Sequence, residues 1–257
     1  VGSEMCIRDR CWKAGGASVS NTDGDITSSV SVNEEAGFSI ATYTGTYSSG
    51  SNTATTIGHV LGKVPKCAFF KKRSDTGNWM VYHEGLGNTH NLYLNTSDAS
   101  QDDANAFFDT SPTSSLFTFG ISGFLNASSE TYVAYFWAEI PGYSKFGSYT
   151  GNGSSNGTYV NLGFRPAWVL IKNYGAGGYN WVLQDNKRSP FNLCDNKLNP
   201  DSNAAEQTDY DKLDILSNGF KIRQNAAGSN ADGSSYVYMA FAEQPGTTPF
   251  DTMTNAR

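Results

Sequence analysis

The residues of this chain best suited to chemistry are tryptophans beside amides, and the chemistry would be recognition. Asn78-Trp79 recurs as Asn180-Trp181. An indole face stacks on the C–H face of a sugar ring, and neighbouring Asn and Ser side chains can bond its hydroxyls. Both pairs stand at the start of an apolar run. Core packing is therefore the plainer reading, with Trp79 and Trp181 kept as the ligand-binding candidates.

Residues that could carry catalysis are few. The three histidines are His59, His83 and His90. A triad or a metal centre needs at least one of them in a defined constellation. The chain has neither His-Glu-x-x-His nor Gly-x-Ser-x-Gly. His59 and His83 stand where the later half of the chain has Val160 and Asp185, so they are read as structural or solvated. Glu139 and Glu243 are duplicated, yet a glycosidase needs two carboxylates about 5–10 Å apart across one bond. Each copy offers one, at a strand end beside a proline, as a charge marking the exit into solvent. Asn21-Thr22-Asp23-Gly24-Asp25 alternates oxygen ligands as a calcium loop does, but lacks the trailing bidentate Glu. An Asx turn is expected there. Lys71 and Lys172 end strands and are read as solvated. No catalytic residue, metal site or cofactor is expected, and the protein is read as a non-enzyme.

The elements that would position these residues repeat along the chain. Pro65 recurs as Pro166, and Tyr132-Val133…Ala138-Glu139 as Tyr236-Val237…Ala242-Glu243. Each copy opens on an alternating segment, 37–45 or 143–151, the period of a half-buried strand. Gly62 or Gly163 and then Pro65 or Pro166 mark a loop. Short apolar runs follow at 67–71 and 168–172, read as central strands, with hairpin partners at 78–82 and 180–183. Residues 95–115 and 185–214 are polar and read as loop, with 213–216 left open between helix and strand. Leu116–Phe119 is expected to form a hairpin with Tyr132–Ala138, and 219–222 with 236–242, across turns rich in Asn, Ala, Ser, Asp and Gly. The expected fold is all-β: two tandem antiparallel β-sandwich, jelly-roll-like modules with little helix, at residues 37–142 and 143–247, with 248–257 as a tail.

Composition agrees with that class. Charged residues make up 16% and aromatics 13% of 257 residues, so the chain can bury a core and is not disordered. The net charge of −6 leaves no basic face for nucleic acid. No apolar run is long enough for a membrane span. Of the four cysteines, Cys11, Cys67 and Cys194 have no short spacing that would signal a disulfide framework or zinc. Cys67 stands opposite Trp168 of the second copy and reads as a small apolar filler.

The N-terminal decapeptide 1–10, which includes Cys6, resembles a translated transposon sequencing adapter and is set aside. The true N-terminus is then expected to be missing. Cys11-Trp12-Lys13-Ala14 is similar to Phe136-Trp137-Ala138-Glu139, so residues 11–36 are expected to be the stub of a preceding module plus a linker.

Taken together, Gly-Phe-Ser-Ile…Tyr-Thr-Gly, Leu-Gly-x-x-Pro-Lys, Asn-Trp-x-Val-Tyr-His, Tyr-Val-Ala-Tyr-x-x-Ala-Glu and Gly-Tyr-Ser-Lys-Phe-Gly-Ser-Tyr-Thr-Gly-Asn-Gly resemble an uncharacterised domain family of marine bacteriophage and environmental sequences. The likeness spans residues 11–247. It implies a virion or extracellular-surface setting, as in a tail fibre, with other virion or tail proteins as partners and the homotrimeric assembly common among fibres. It supplies no catalytic residues. The expected function is a non-enzymatic appendage that spaces or presents a host-surface binding site, with glycan as the candidate ligand. The alternatives are an accessory fragment of a carbohydrate-active enzyme and a purely structural spacer.

Overall fold

The computed structural model describes residues 12–48 and 52–243. Residues 1–11, including the decapeptide, Cys6 and Cys11, and the tail 248–257 lie outside the described residues. The described chain is all-β and antiparallel, with helix confined to single turns at Glu84–Leu86, Ala104–Phe107 and Gly123–Asn126.

The first half contains β1 (Val19–Asn21), β2 (Ser28–Asn33), β3 (Phe38–Thr44), β4 (Thr55–Gly58), β5 (Pro65–Lys72), β6 (Met80–His83), β7 (His90–Tyr93), β8 (Gln101–Asp102), β9 (Leu116–Phe119) and β10 (Thr131–Ala138). Eight of these form one sheet in the order β1-β2-β3-β10-β5-β6-β7-β8, and β4-β9 form a short second sheet. The second half contains β11 (Ser144–Thr150), β12 (Tyr159–Asn161), β13 (Trp168–Asn173), β14 (Val182–Asp185), β15 (Leu213–Leu216), β16 (Gly219–Ile222) and β17 (Ser235–Phe241). Its sheets run β11-β17-β13-β14 and β12-β16-β15. Strand order β3-β10-β5-β6 in one half thus has its counterpart in β11-β17-β13-β14.

Alternation along the long strands makes four layers. Tyr132, Ala134 and Phe136 of β10 join Tyr43, Phe70 and Tyr82 in a core closed by Ile57, Phe117 and Phe119 of the β4-β9 sheet. The intervening residues, among them Phe38, Phe69, Val81 and Trp137, point the other way and merge with the second half's apolar cluster. Because strand side chains alternate between faces, one eight-stranded sheet serves two cores.

The two halves share a clasp that explains their Tyr-Thr-Gly motif. Tyr43 stacks on Tyr132 at 5.2 Å and 13°, and Tyr149 stacks on Tyr236 at 5.0 Å and 14°. The Tyr132 hydroxyl donates to Gly123 O (2.8 Å) and accepts from Ala127 N (2.9 Å). The Tyr236 hydroxyl donates to Ala227 O (3.0 Å) and accepts from Ala231 N (2.8 Å). Tyr43 and Tyr149 donate to Leu125 O and Ser229 O at 2.7 and 2.6 Å. The side-chain oxygens of Asn126 and Asn230 accept from Thr46 N and Asn152 N at 2.9 and 3.1 Å. A Cβ on Gly45 or Gly151 would lie 2.2 Å from Ala127 O or Ala231 O, so only glycine passes beneath either loop.

Two expectations change and one open reading is resolved. β9 pairs with β4, and β16 with β12 and β15, so neither forms a hairpin with the long strand that follows. The chain crosses from one layer to the other at the clasp, and the Asn-rich turn signal marks that crossing. Residues 213–216 form a strand. The segment expected to be stub and linker supplies β1 and β2, which pair with each other and with β3. Trp12 is half-buried against both halves, with ring centroids 5.4 Å from Trp137, 5.6 Å from Trp168 and 5.3 Å from Phe241.

Candidate binding cleft

The seam between the halves is filled at one end and open at the other. At the filled end His83 Nε2 lies 3.0 Å from Tyr238 O, and its ring meets Phe146 at 6.4 Å. At the opposite edge Trp181 donates its indole N–H to Tyr93 O at 2.9 Å, and Gly178 N donates to Ser97 O at 2.9 Å. Between them lies a cleft of about 700 Å³.

One wall of the cleft is aromatic and belongs to the first half. Phe38, Tyr135, Trp137 and Trp79 stand as near-parallel rings: Phe38–Tyr135 at 6.5 Å and 8°, Tyr135–Trp137 at 6.2 Å and 22°, Trp79–Tyr135 at 6.2 Å and 22°. β3 and β10 pair Phe38 with Trp137, while β6 begins just after Trp79. The facing wall is Trp168, Leu170, Leu183 and Leu198 of the second half. A strap, Asn199 to Ala204, borders the cleft with amide and hydroxyl groups, and Ser202 and Asn203 are exposed. Backbone bonds between Leu183 and Leu198 (2.9 and 3.0 Å) and the Asn199 amide on Trp181 O (2.7 Å) fix the strap. The indole N–H groups of Trp12 and Trp137 are covered and find no acceptor in the protein.

The two candidate tryptophans therefore separate. Both are anchored alike through the backbone, Trp79 N on Asn95 Oδ1 (2.8 Å) and Trp181 N on Asp201 Oδ1 (3.2 Å). Trp79 is half-buried and lines the cleft. Trp181 is 3% exposed and spends its indole N–H on the first half. Sequence could place both beside a strand, but not reveal that the halves press together over one of them.

The titratable groups are occupied by structure. His59 accepts from Leu61 N at 3.2 Å on Nδ1 and faces Thr113 O at 3.2 Å on Nε2. His83 accepts from Gly85 N at 3.0 Å on Nδ1. Nδ1 accepts in each, so Nε2 carries the proton and donates, and the ring is neutral. Burial pushes both down to about 4. His90 is half-buried with Nδ1 at 2.8 Å from Thr89 Oγ1. Burial raises the thiols of Cys67 and Cys194, the latter to about 11. Glu243 is exposed and paired with Lys187 at 2.5 Å, whereas Glu139 is half-buried near the Tyr238 hydroxyl.

Asp23 N donates to Asn21 Oδ1 at 3.3 Å, an Asx turn. Asp25 is taken up by Thr56, accepting from its N at 2.9 Å and Oγ1 at 2.7 Å. Lys71 donates to Gly77 O at 3.0 Å. Lys172 departs from expectation: it is fully buried, donates to Tyr179 O at 2.5 Å, and is pushed down to about 8 by burial. Its strand is the penultimate one of its sheet, covered by the 174–180 loop, where Lys71 lies under a more open turn. Among the described residues no cluster of His, Cys, Asp and Glu could hold a metal, and no helix is long and apolar enough to cross a membrane.

The chain belongs to a family described as a domain of unknown function (DUF7483), whose model matches residues 3–245. No curated protein and no solved structure matches it.

Proposed function

We propose that the protein is a non-enzymatic recognition unit that takes a saccharide in the cleft between its halves. The observation that supports this is the placement of Trp79: half-buried, stacked on Tyr135 and facing a strap of Asn and Ser side chains. Ring faces take the C–H face of a pyranose, and the strap supplies donors and acceptors for its hydroxyls. Among the described residues the occupied histidines, buried thiols and separate surroundings of Glu139 and Glu243 leave no nucleophile–base pair in view, and this supports binding over hydrolysis.

The resemblance to phage sequences gives this site a setting: a virion or tail appendage contacting the host surface, alongside other virion proteins. A spacer without a ligand is the competing reading, favoured by the continuous apolar seam that makes the halves one stiff body. Glycan-array binding by the chain freed of residues 1–10 decides between them. Binding that Trp79→Ala abolishes supports recognition; signal at background supports the spacer. Depolymerisation of a host polysaccharide by the chain would instead support the enzyme-fragment alternative.

A further inference from the structure

We infer that the cleft is built for a neutral pyranose bearing a methyl group, a 6-deoxyhexose or an N-acetylhexosamine, and against acidic or fully hydroxylated sugars. This rests on the saccharide reading above and narrows it.

Charge is the first ground. Among the described residues no Asp, Glu, Lys, Arg or His lines the cleft. Three cations of the second half are engaged elsewhere: Lys172 with Tyr179 O, Lys197 with Asp211 at 2.5 Å, and Arg188 with Asp185 and Glu206 at 2.7 and 3.0 Å. Asp201 belongs to the strap, but its carboxylate receives the Trp181 N–H. A uronate or sialate carboxylate entering the cleft would lose water, meet no cation and approach Asp201, in a chain of net charge −6. An unpaired charge taken from water is strongly disfavoured.

The unlike walls are the second ground. A hydroxyl turned toward Leu170, Leu183 and Leu198 finds no partner there, and an unpaired buried polar group is destabilising. A methyl group on that side is complementary. The aromatic wall takes the ring's C–H face, and the strap brings amide and hydroxyl side chains to the cleft edge. The arrangement orders the ligand: C–H face on Trp79 and Tyr135, methyl on the leucines, hydroxyls toward Asn199, Ser202 and Asn203. Arg73 sits outside the cleft, in a hollow of about 360 Å³ lined by Ser and Thr hydroxyls. An acidic sugar bound there would be insensitive to cleft substitutions.

The test is titration of the whole chain with matched methyl glycosides, followed by calorimetry or ligand-observed NMR. The pairs are α-L-fucoside against α-L-galactoside and N-acetyl-β-D-glucosaminide against β-D-glucoside, with β-D-glucuronide as the acidic member. At least one methyl-bearing sugar is expected to bind about tenfold tighter than its partner, the usual worth of a methyl group in an apolar slot. Glucuronide is expected to bind weakest. Trp79→Ala should weaken all of them, while Leu198→Asn, with Leu198→Ala as a milder second variant, should shrink the methyl preference specifically. Equal affinities within both pairs, or glucuronide binding tightest through the cleft, overturn the methyl preference while the saccharide reading stands. No binding by any of the five sugars overturns both.

Discussion

Trp79 and Trp181 occupy matching places in the two halves, and the halves put them to different use. In the second half the indole is buried and ties the seam to Tyr93. In the first it lies open on a row of rings built with Phe38, Tyr135 and Trp137. The matching register of the second half has Ser144, Met239 and Phe241 in place of Phe38, Tyr135 and Trp137. What the halves hold in common faces inward, as the tyrosine clasp does; what differs faces the seam. A repeated chain that folds back on itself turns one pair of equivalent surfaces into two unlike walls, and a cleft arises between them without an added domain.

The sharpest way to break this contrast is at Trp181. Trp181→Ala should lower stability by about 3–5 kcal/mol, as for other buried tryptophans, in urea unfolding of the whole chain. Trp79→Ala should lower it far less, and equal losses would erase the distinction.

The next largest effect is acid sensitivity, which the contrast assigns to the first half. His59 and His83 are held at about 4 in the fold against 6.5 in a free chain, and all three histidines of the chain lie in the first half. The unfolded state therefore takes up protons first. Stability is full above about pH 6.5, falls as pH drops toward about 4, and stops falling from this source below that, by up to about 3 kcal/mol per ring. His59→Gln should flatten part of this slope; an unchanged slope in denaturation at pH 4.5 against pH 7 would contradict it.

The common part of the halves is tested at the clasp. Tyr132→Phe and Tyr236→Phe each strand a backbone N–H and a carbonyl, a loss of about 1–3 kcal/mol. Losses of similar size sharpen the equivalence, and a loss confined to one half breaks it. The smallest effect belongs to Trp79→Ala itself, about 1–2 kcal/mol from a half-exposed indole, read as a small shift of the urea midpoint.

The residues of the clasp repeat in the sequence, but their role did not show, because the Asn-rich segment reads as a hairpin turn. Tyr-Thr-Gly and the Asn before Ala127 or Ala231 repeat because two hydroxyls, an amide and a missing Cβ must all fit one crossing. Alternation in β3 and β11 was legible, as was the pairing of β5 with β6, since neighbouring strands joined by a short turn pair locally. The partners of β9 and β16 were not, because a turn signal does not say whether the chain returns beside its strand or crosses the core. Nor was the burial of Lys172, which depends on the 174–180 loop lying over it. The cleft itself was illegible for a related reason: each of its walls is apolar, and sequence alone cannot distinguish an apolar face that is fully covered from one that is left half open.

On the proposed function Trp79 faces the ligand and its counterpart Trp181 does not. The indole fluorescence of Trp79 during titration with a methyl-bearing neutral glycoside, compared between the wild-type chain and Trp79→Phe, tests this most directly. A saturable change in the wild type that Trp79→Phe removes, with the urea midpoint nearly unmoved, is the predicted result. A wild-type signal that persists unaltered in Trp79→Phe, or one that no neutral sugar elicits, would contradict it.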